Sequence, residues 1–172
     1  MLSVNGARLL ERINELGAIG KDEEGRRTRL AASDTEKQGR DKVVRWMEDA
    51  DLKVVVDRIG NIFGIWETEE NKDKKPLMIG SHIDTVINAG QYDGCLGVIG
   101  AIEVIRTLKE AGRQSERPIV GCAFTNEEGV RYSPDMMGSL VYAGGLLVDE
   151  VLKTVGTDGT ILGEELKRIG YA

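Results

Sequence analysis

Between Gly94 and Leu108 the chain is apolar on more than one helical face: Cys95, Leu96, Val98, Ile99, Ala101, Ile102, Val104, Ile105 and Leu108 leave no wide polar stripe. A helix of that kind has to be buried along most of its length. Two short apolar runs flank it, Pro76 to Gly80 before and Pro118 to Phe124 after. Both suit buried strands, the first ending just before His82. Strand, long helix and strand in that order form a βαβ unit, with parallel strands and helices packed on both sheet faces.

The rest of the chain adds to this unit. Leu9, Leu10, Ile13 and Leu16 fall at helical spacing over Ala7 to Leu16, with Asn5 available as the cap. Ser33-Asp34-Thr35-Glu36 reads as a capping box for a second helix ending near Ala50. The intervening Gly20 to Ala32 is a charged loop. Leu52 to Ile59 is β-branched and alternating, Gly60-Asn61 punctuates it, and Ile62 to Trp66 follows, which suggests a hairpin. Glu67 to Lys75 is a solvated polar loop. Short helical pieces are expected over Met137 to Tyr142, Leu147 to Leu152 and Ile161 to Ile169, the last after an Asp158-Gly159 turn. The fold class is therefore α/β: a mixed, partly parallel sheet flanked by helices on both faces.

At 172 residues one domain is expected, and 41% hydrophobic with 30% charged residues suits a chain with a packed core. Acidic residues outnumber basic ones, 29 to 23, for a net charge of −6, and no basic stripe forms, which argues against a nucleic-acid partner. Met1 to Gly20 mixes charges among its leucines, so neither a signal peptide nor a membrane span is expected and the cytoplasm is the default location. Cys95 and Cys122 have no CxxC partner and read as buried core thiols.

In open α/β sheets, ligands bind beyond the carboxyl ends of parallel strands. His82 and Asp84 follow the first strand, Glu127 and Glu128 follow the second, and Tyr92-Asp93-Gly94 leads into the long helix. Imidazole and carboxylate both ligate zinc, and a carboxylate can bridge two ions. Residues i and i+2 of an extended segment share a side, so Asp84 can orient the His82 ring through the nitrogen that a metal leaves free. Adjacent glutamates on an extended loop diverge, which allows one to ligate and the other to hold a proton near bound water. An HxD, an Asp-Gly and a glutamate pair are each commonplace, as polar, turn and solvated residues. Their shared sheet edge is what points to a metal site.

Three segments, Gly80-Ser81-His82-Ile83-Asp84-Thr85, Gly90-Gln91-Tyr92-Asp93-Gly94-Cys95-Leu96-Gly97-Val98 and Thr125-Asn126-Glu127-Glu128-Gly129-Val130-Arg131-Tyr132, closely resemble the hydantoinase/carbamoylase family of zinc amidases, within the wider dizinc exopeptidase superfamily. Similarity continues through Thr28-Arg29-Leu30-Ala31, Gly60-Asn61-Ile62-Phe63-Gly64, Gly138-Ser139 and Ala143-Gly144. That family hydrolyses N-carbamoyl-L-amino acids, β-ureidopropionate and allantoate, small molecules sharing a ureido group, and its full-length members are homodimers. The resemblance implies a zinc-exopeptidase-like catalytic domain holding two divalent ions, expected to be zinc, although manganese, cobalt or nickel suits the same ligands. By position it implies that His82 binds the first metal, Asp93 bridges both and Glu128 binds the second, with Glu127 as general base and Asp84 orienting His82. It assigns no role to Asn126, Arg131 or Ser139.

The chain also departs from the pattern. Family members carry two further metal-ligand histidines, one in an HxEQG-like motif, and an inserted dimerisation and lid domain; this chain has one histidine in all and none of those segments. Residues 1–172 are thus expected to be the amino-terminal part of the catalytic domain, with an incomplete site. A catalytic zinc normally has three protein ligands of its own, so weak metal binding and little or no hydrolysis are expected of the chain alone. The alternatives are a zinc aminopeptidase or dipeptidase of the same superfamily, and a non-catalytic domain that assembles with a separate chain.

Overall fold

Asn5 opens the first helix: its side chain accepts the Arg8 amide at 3.0 Å, and α1 (Gly6–Ala18) follows. The computed structural model describes residues 2–172. Asn5→Ala should remove this cap at a cost of about 1 kcal/mol. Urea unfolding measures it, and an unchanged midpoint would show that the cap contributes nothing.

The next helix, α2 (Asp34–Asp49), is capped by Ser33, whose hydroxyl accepts the Glu36 amide at 3.2 Å. The reciprocal half of the expected capping box is not formed. Glu36 is fully buried, pairs with Arg40 at 2.9 Å one turn later, and takes the Ala32 amide at 2.5 Å in place of that of Ser33. Strands β1 (Lys53–Val56) and β2 (Ile62–Trp66) form the expected antiparallel hairpin, Val56 opposite Ile62. The first strand is shorter than its β-branched run because Asp57 accepts the amides of Ile59 and Asn61 and turns the chain early.

β3 (Leu77–His82), α3 (Cys95–Glu110) and β4 (Ile119–Phe124) are the βαβ unit. Its strands run parallel from Leu77 opposite Ile119 to His82 opposite Phe124. His82 is therefore the last paired residue of β3, where the apolar pattern alone ended the strand at Gly80. β2 lies antiparallel on the other side of β4, giving the order β1-β2-β4-β3 and a mixed sheet. Three short helices complete the described residues: α4 (Met137–Tyr142), α5 (Val148–Val151) and α6 (Leu162–Ile169).

Helices cover the two sheet faces unequally. On one face α2 and α3 pack against the sheet, with Val98, Ile99, Ile102 and Ile105 fully buried, and α1 lies against α3. Gly64 lets the Met47 side chain pack closely there, since a Cβ would lie 2.8 Å from its sulfur. The other face carries Phe63, Val120 and Cys122, and α4 reaches it through Tyr142, whose ring packs at a tilt 5.6 Å from Phe63 and 6.0 Å from Phe124 between ring centres. Both cysteines are buried free thiols, as expected. No helix among the described residues is long and apolar enough to cross a membrane.

Candidate metal centre

The parallel strands end together, and the loop after β3 leads directly into α3, so three chain segments meet at one sheet edge. His82 is only 4% exposed. Its Nδ1 lies 3.0 Å from the main-chain oxygen of Asp84, which can only accept; this nitrogen therefore donates, and in the neutral ring Nε2 carries the lone pair. That lone pair faces Glu127 Oε2 at 3.3 Å and Asp93 Oδ1 at 3.7 Å. Acceptor facing acceptor is repulsive unless a proton or a metal cation lies between them.

The Asp84 side chain serves a different neighbour from the one its spacing suggests. Its carboxylate is 3.7 Å from His82 Nδ1, too far for a hydrogen bond. Instead it accepts the Glu127 amide at 3.2 Å and the Glu128 amide at 3.1 Å. The Asp84 main chain thus orients the imidazole while its side chain fixes the glutamate loop. Burial pushes the Asp84 carboxyl up to about 6; Glu36 adds to the shift, and His82 and the two amides oppose it.

The glutamate loop is not extended, which corrects the expectation that its two carboxylates diverge. Asn126 adopts a left-handed backbone with φ 52°, held by donation from its side-chain amide to the Tyr132 and Pro134 oxygens at 2.8 and 3.1 Å. The turn brings both carboxylates to the histidine: His82, Glu127 and Glu128 each offer an atom within 4.8 Å of the others. Glu128 Oε1 is buried with no hydrogen-bond partner. Burial raises the Glu128 carboxyl above its ordinary range; Asp93 and Glu127 add to this and His82 opposes it. An imidazole lone pair, an orphaned carboxylate oxygen and a second carboxylate form a donor set that fits a divalent cation. Asp93 stands at the rim, its side chain 71% exposed.

Sequence reasoning missed what supports this cluster. Gly94, first a turn signal, begins α3 at φ 62°, and a Cβ on it would lie 2.6 Å from His82 Cε1 and Nδ1. Gly94→Ala should therefore displace the ring and weaken binding of Co²⁺ roughly tenfold or more, the scale of losses from disturbed ligand support. A titration of cobalt absorbance with unchanged affinity would refute this. Thr125 is tied down from two sides, its hydroxyl accepting from Arg40 at 3.0 Å and its amide donating to Asn61 at 2.9 Å. Nothing in the local sequence marks Arg40 as buried. Arg131 anchors the chain beyond the site, binding Asp158 at 2.9 Å and Glu165 at 2.8 Å, and Ser139 donates to the Met136 oxygen.

Residues 61–160, more than half of the chain, match the family model described as Peptidase family M28. The chain belongs to that family. All of His82, Asp84, Asp93, Glu127 and Glu128 fall within the M28 match. The M28 chain is 40% identical over 167 residues to an N-carbamoyl-L-amino acid amidohydrolase of Geobacillus stearothermophilus, covering 97% of itself and 40% of that protein. It is 41% identical over 158 residues to a probable allantoate deiminase of Oryza sativa subsp. japonica, covering 91% of itself and 32% of that protein. A crystal structure of a hydantoinase/carbamoylase family amidase from Burkholderia ambifaria superposes with a TM-score of 0.95 at 37% identity, covering 99% of this chain and 42% of that one. The M28 chain thus spans about 40% of the length of relatives it matches.

Proposed function

We propose that this chain is the amino-terminal part of the catalytic domain of a metal-dependent amidohydrolase that cleaves the ureido C–N bond of N-carbamoyl-L-amino acids, β-ureidopropionate or allantoate. One observation carries the reading: the His82 lone pair, the orphaned Glu128 oxygen and the Glu127 carboxylate converge at the edge of a parallel strand pair. The amidohydrolase and deiminase names of its relatives supply the substrate class.

In this reading His82, Asp93 and Glu128 would hold two divalent ions, zinc in the first instance, with manganese, cobalt or nickel as substitutes. Such ions, when bound, lower the pKa of a water and polarise a carbonyl. Glu127 would take a proton from the attacking water and return it to the leaving nitrogen. Asp84 keeps the Glu127 and Glu128 backbones in place during the transfer. Further imidazole ligands come from polypeptide outside these 172 residues, because His82 is the sole histidine within them. The working enzyme is a homodimer in the cytoplasm, where Cys95 and Cys122 stay reduced.

The test uses the whole reading frame that contains these residues. Metal-dependent ammonia release from one of the three ureido substrates is the expected result, with the purified 172-residue chain releasing none above background. Ammonia release by the short chain would overturn its dependence on further ligands. A second reading, hydrolysis of a peptide bond, is favoured by the peptidase description of the matching family. Release of amino acids from dipeptides, with ureido substrates untouched, would establish it instead.

A further inference from the structure

Arg29 is completely buried, and among the described residues no carboxylate lies within ion-pairing distance of its guanidinium. Its partners come from three separate segments. Nε donates to the Ile83 oxygen at 2.7 Å, Nη1 to the Leu16 and Ile19 oxygens at 3.1 and 3.0 Å, and Nη2 to Cys95 Sγ at 3.1 Å. The main chain of Arg29 adds two more links, its amide to Thr85 Oγ1 at 2.8 Å and its oxygen to the Thr85 amide at 2.9 Å. Gly39 leaves room for the side chain, since a Cβ there would lie 3.1 Å from Arg29 Cδ.

The acceptors have a pattern. Ile83 stands between His82 and Asp84, and Cys95 is the first residue of α3, two positions after Asp93. Leu16 and Ile19 lie at the carboxyl end of α1, where the helix dipole favours a cation, and the Leu16 oxygen also takes the Ile19 amide at 3.2 Å. One planar fork therefore spans the strand end that carries His82 and the helix start that carries Asp93, and braces both against α1. A guanidinium presents its donors at fixed angles, which a lysine ammonium does not. Burying a charge without a carboxylate is an expensive way to stabilise a core, and apolar packing of similar volume usually does as well or better. A side chain retained at that cost suits a task of geometry.

We propose that Arg29 is a positioning residue for the metal centre, setting the separation of His82 from Asp93 by clamping Ile83 to Cys95. This rests on the metal-binding reading above, and the test separates the two. Co²⁺ alone is titrated into the protein of the whole reading frame, with affinity and ligand-field spectrum read from visible absorbance, and folding followed by circular dichroism and thermal unfolding. Arg29→Lys keeps the charge and loses the fork; it should bind Co²⁺ roughly tenfold or more weakly with an altered spectrum while still folded, the scale seen when supporting contacts of metal ligands are lost. Arg8→Met is the control for stability, because it breaks the pair with Glu103, at 2.7 Å, which ties α1 to the middle of α3, away from the Cys95 end that Arg29 holds. It should lower the melting temperature and leave cobalt binding alone.

Wild-type affinity and spectrum in folded Arg29→Lys would overturn the proposal. So would a loss of affinity that Arg8→Met reproduces at equal destabilisation. Should Arg29→Lys fail to fold, Cys95→Ala decides, since it removes only the link to α3: weaker cobalt binding with an altered spectrum supports the clamp, and unchanged binding refutes it. Absence of binding by the wild-type protein of the whole reading frame overturns the metal reading and the clamp together, whereas wild-type binding with unaffected variants overturns the clamp alone.

Discussion

Replacing Arg40 by methionine is expected to destabilise the protein by about 3–5 kcal/mol, the range for breaking a buried ion pair by removing one partner. The guanidinium is 1% exposed and binds Glu36 at 2.9 Å, the Gly60 oxygen at 2.6 Å and Thr125 Oγ1 at 3.0 Å. Glu36 is fully buried, and it also raises Asp84, so the variant leaves two carboxylates in the core with no guanidinium between them. Against a total stability of roughly 5–15 kcal/mol, that loss is enough to unfold much of the protein at 37 °C. Its pH dependence has a definite sign. Asp84 already stands at about 6, raised from 3.8, so protonation of this buried group is favoured by folding, and its charged form costs stability as pH rises through 6. Without Arg40 that cost grows, and the gap between variant and wild type should widen from pH 5 to pH 8. Urea unfolding across that range measures it; a gap that stays constant would show that Asp84 and Arg40 are uncoupled.

Changing Glu127 to glutamine in the whole reading frame is expected to lower kcat by roughly 10²–10⁴-fold, the usual contribution of a positioned general base. The substitution preserves shape and removes the proton acceptor. KM and Co²⁺ affinity should move little, and that split is informative. Glu127 Oε2 is closer to His82 Nε2 than Asp93 Oδ1 is, 3.3 Å against 3.7 Å, so a role as ligand competes with the role as base. A drop in metal affinity matching the drop in rate would assign Glu127 to the metal and vacate the base.

The βαβ unit was legible because its signal is local: a helix apolar all round between two short apolar runs admits few other folds. The caps at Asn5 and Ser33 were legible for the same reason. The placing of β2 beside β4 was not, since pairing Trp66 with Ile119 across 53 residues depends on packing that no short window contains. At the site, His82, Asp84, Asp93 and the two glutamates could be named from type and position. Their geometry could not, because it depends on backbone exceptions: the left-handed Asn126 turns both carboxylates inward, and Gly94 admits the histidine ring. Arg29 and Arg40 were invisible as structural elements, for a charged side chain in sequence reads as solvated, and only the acceptors gathered around it say otherwise.

The strand register also separates two optical signals. Trp66 pairs with Ile119 at the beginning of β4, and His82 pairs with Phe124 at its end, about 17 Å away at 3.3 Å per residue. Trp46 is buried in α2 beneath Arg12, about 9 Å along the helix from Arg40, which marks the site end. Indole fluorescence therefore reports the integrity of the far half of the core, and cobalt absorbance the ligand cluster. A variant that extinguishes the second while preserving the first has lost its ion and kept its fold.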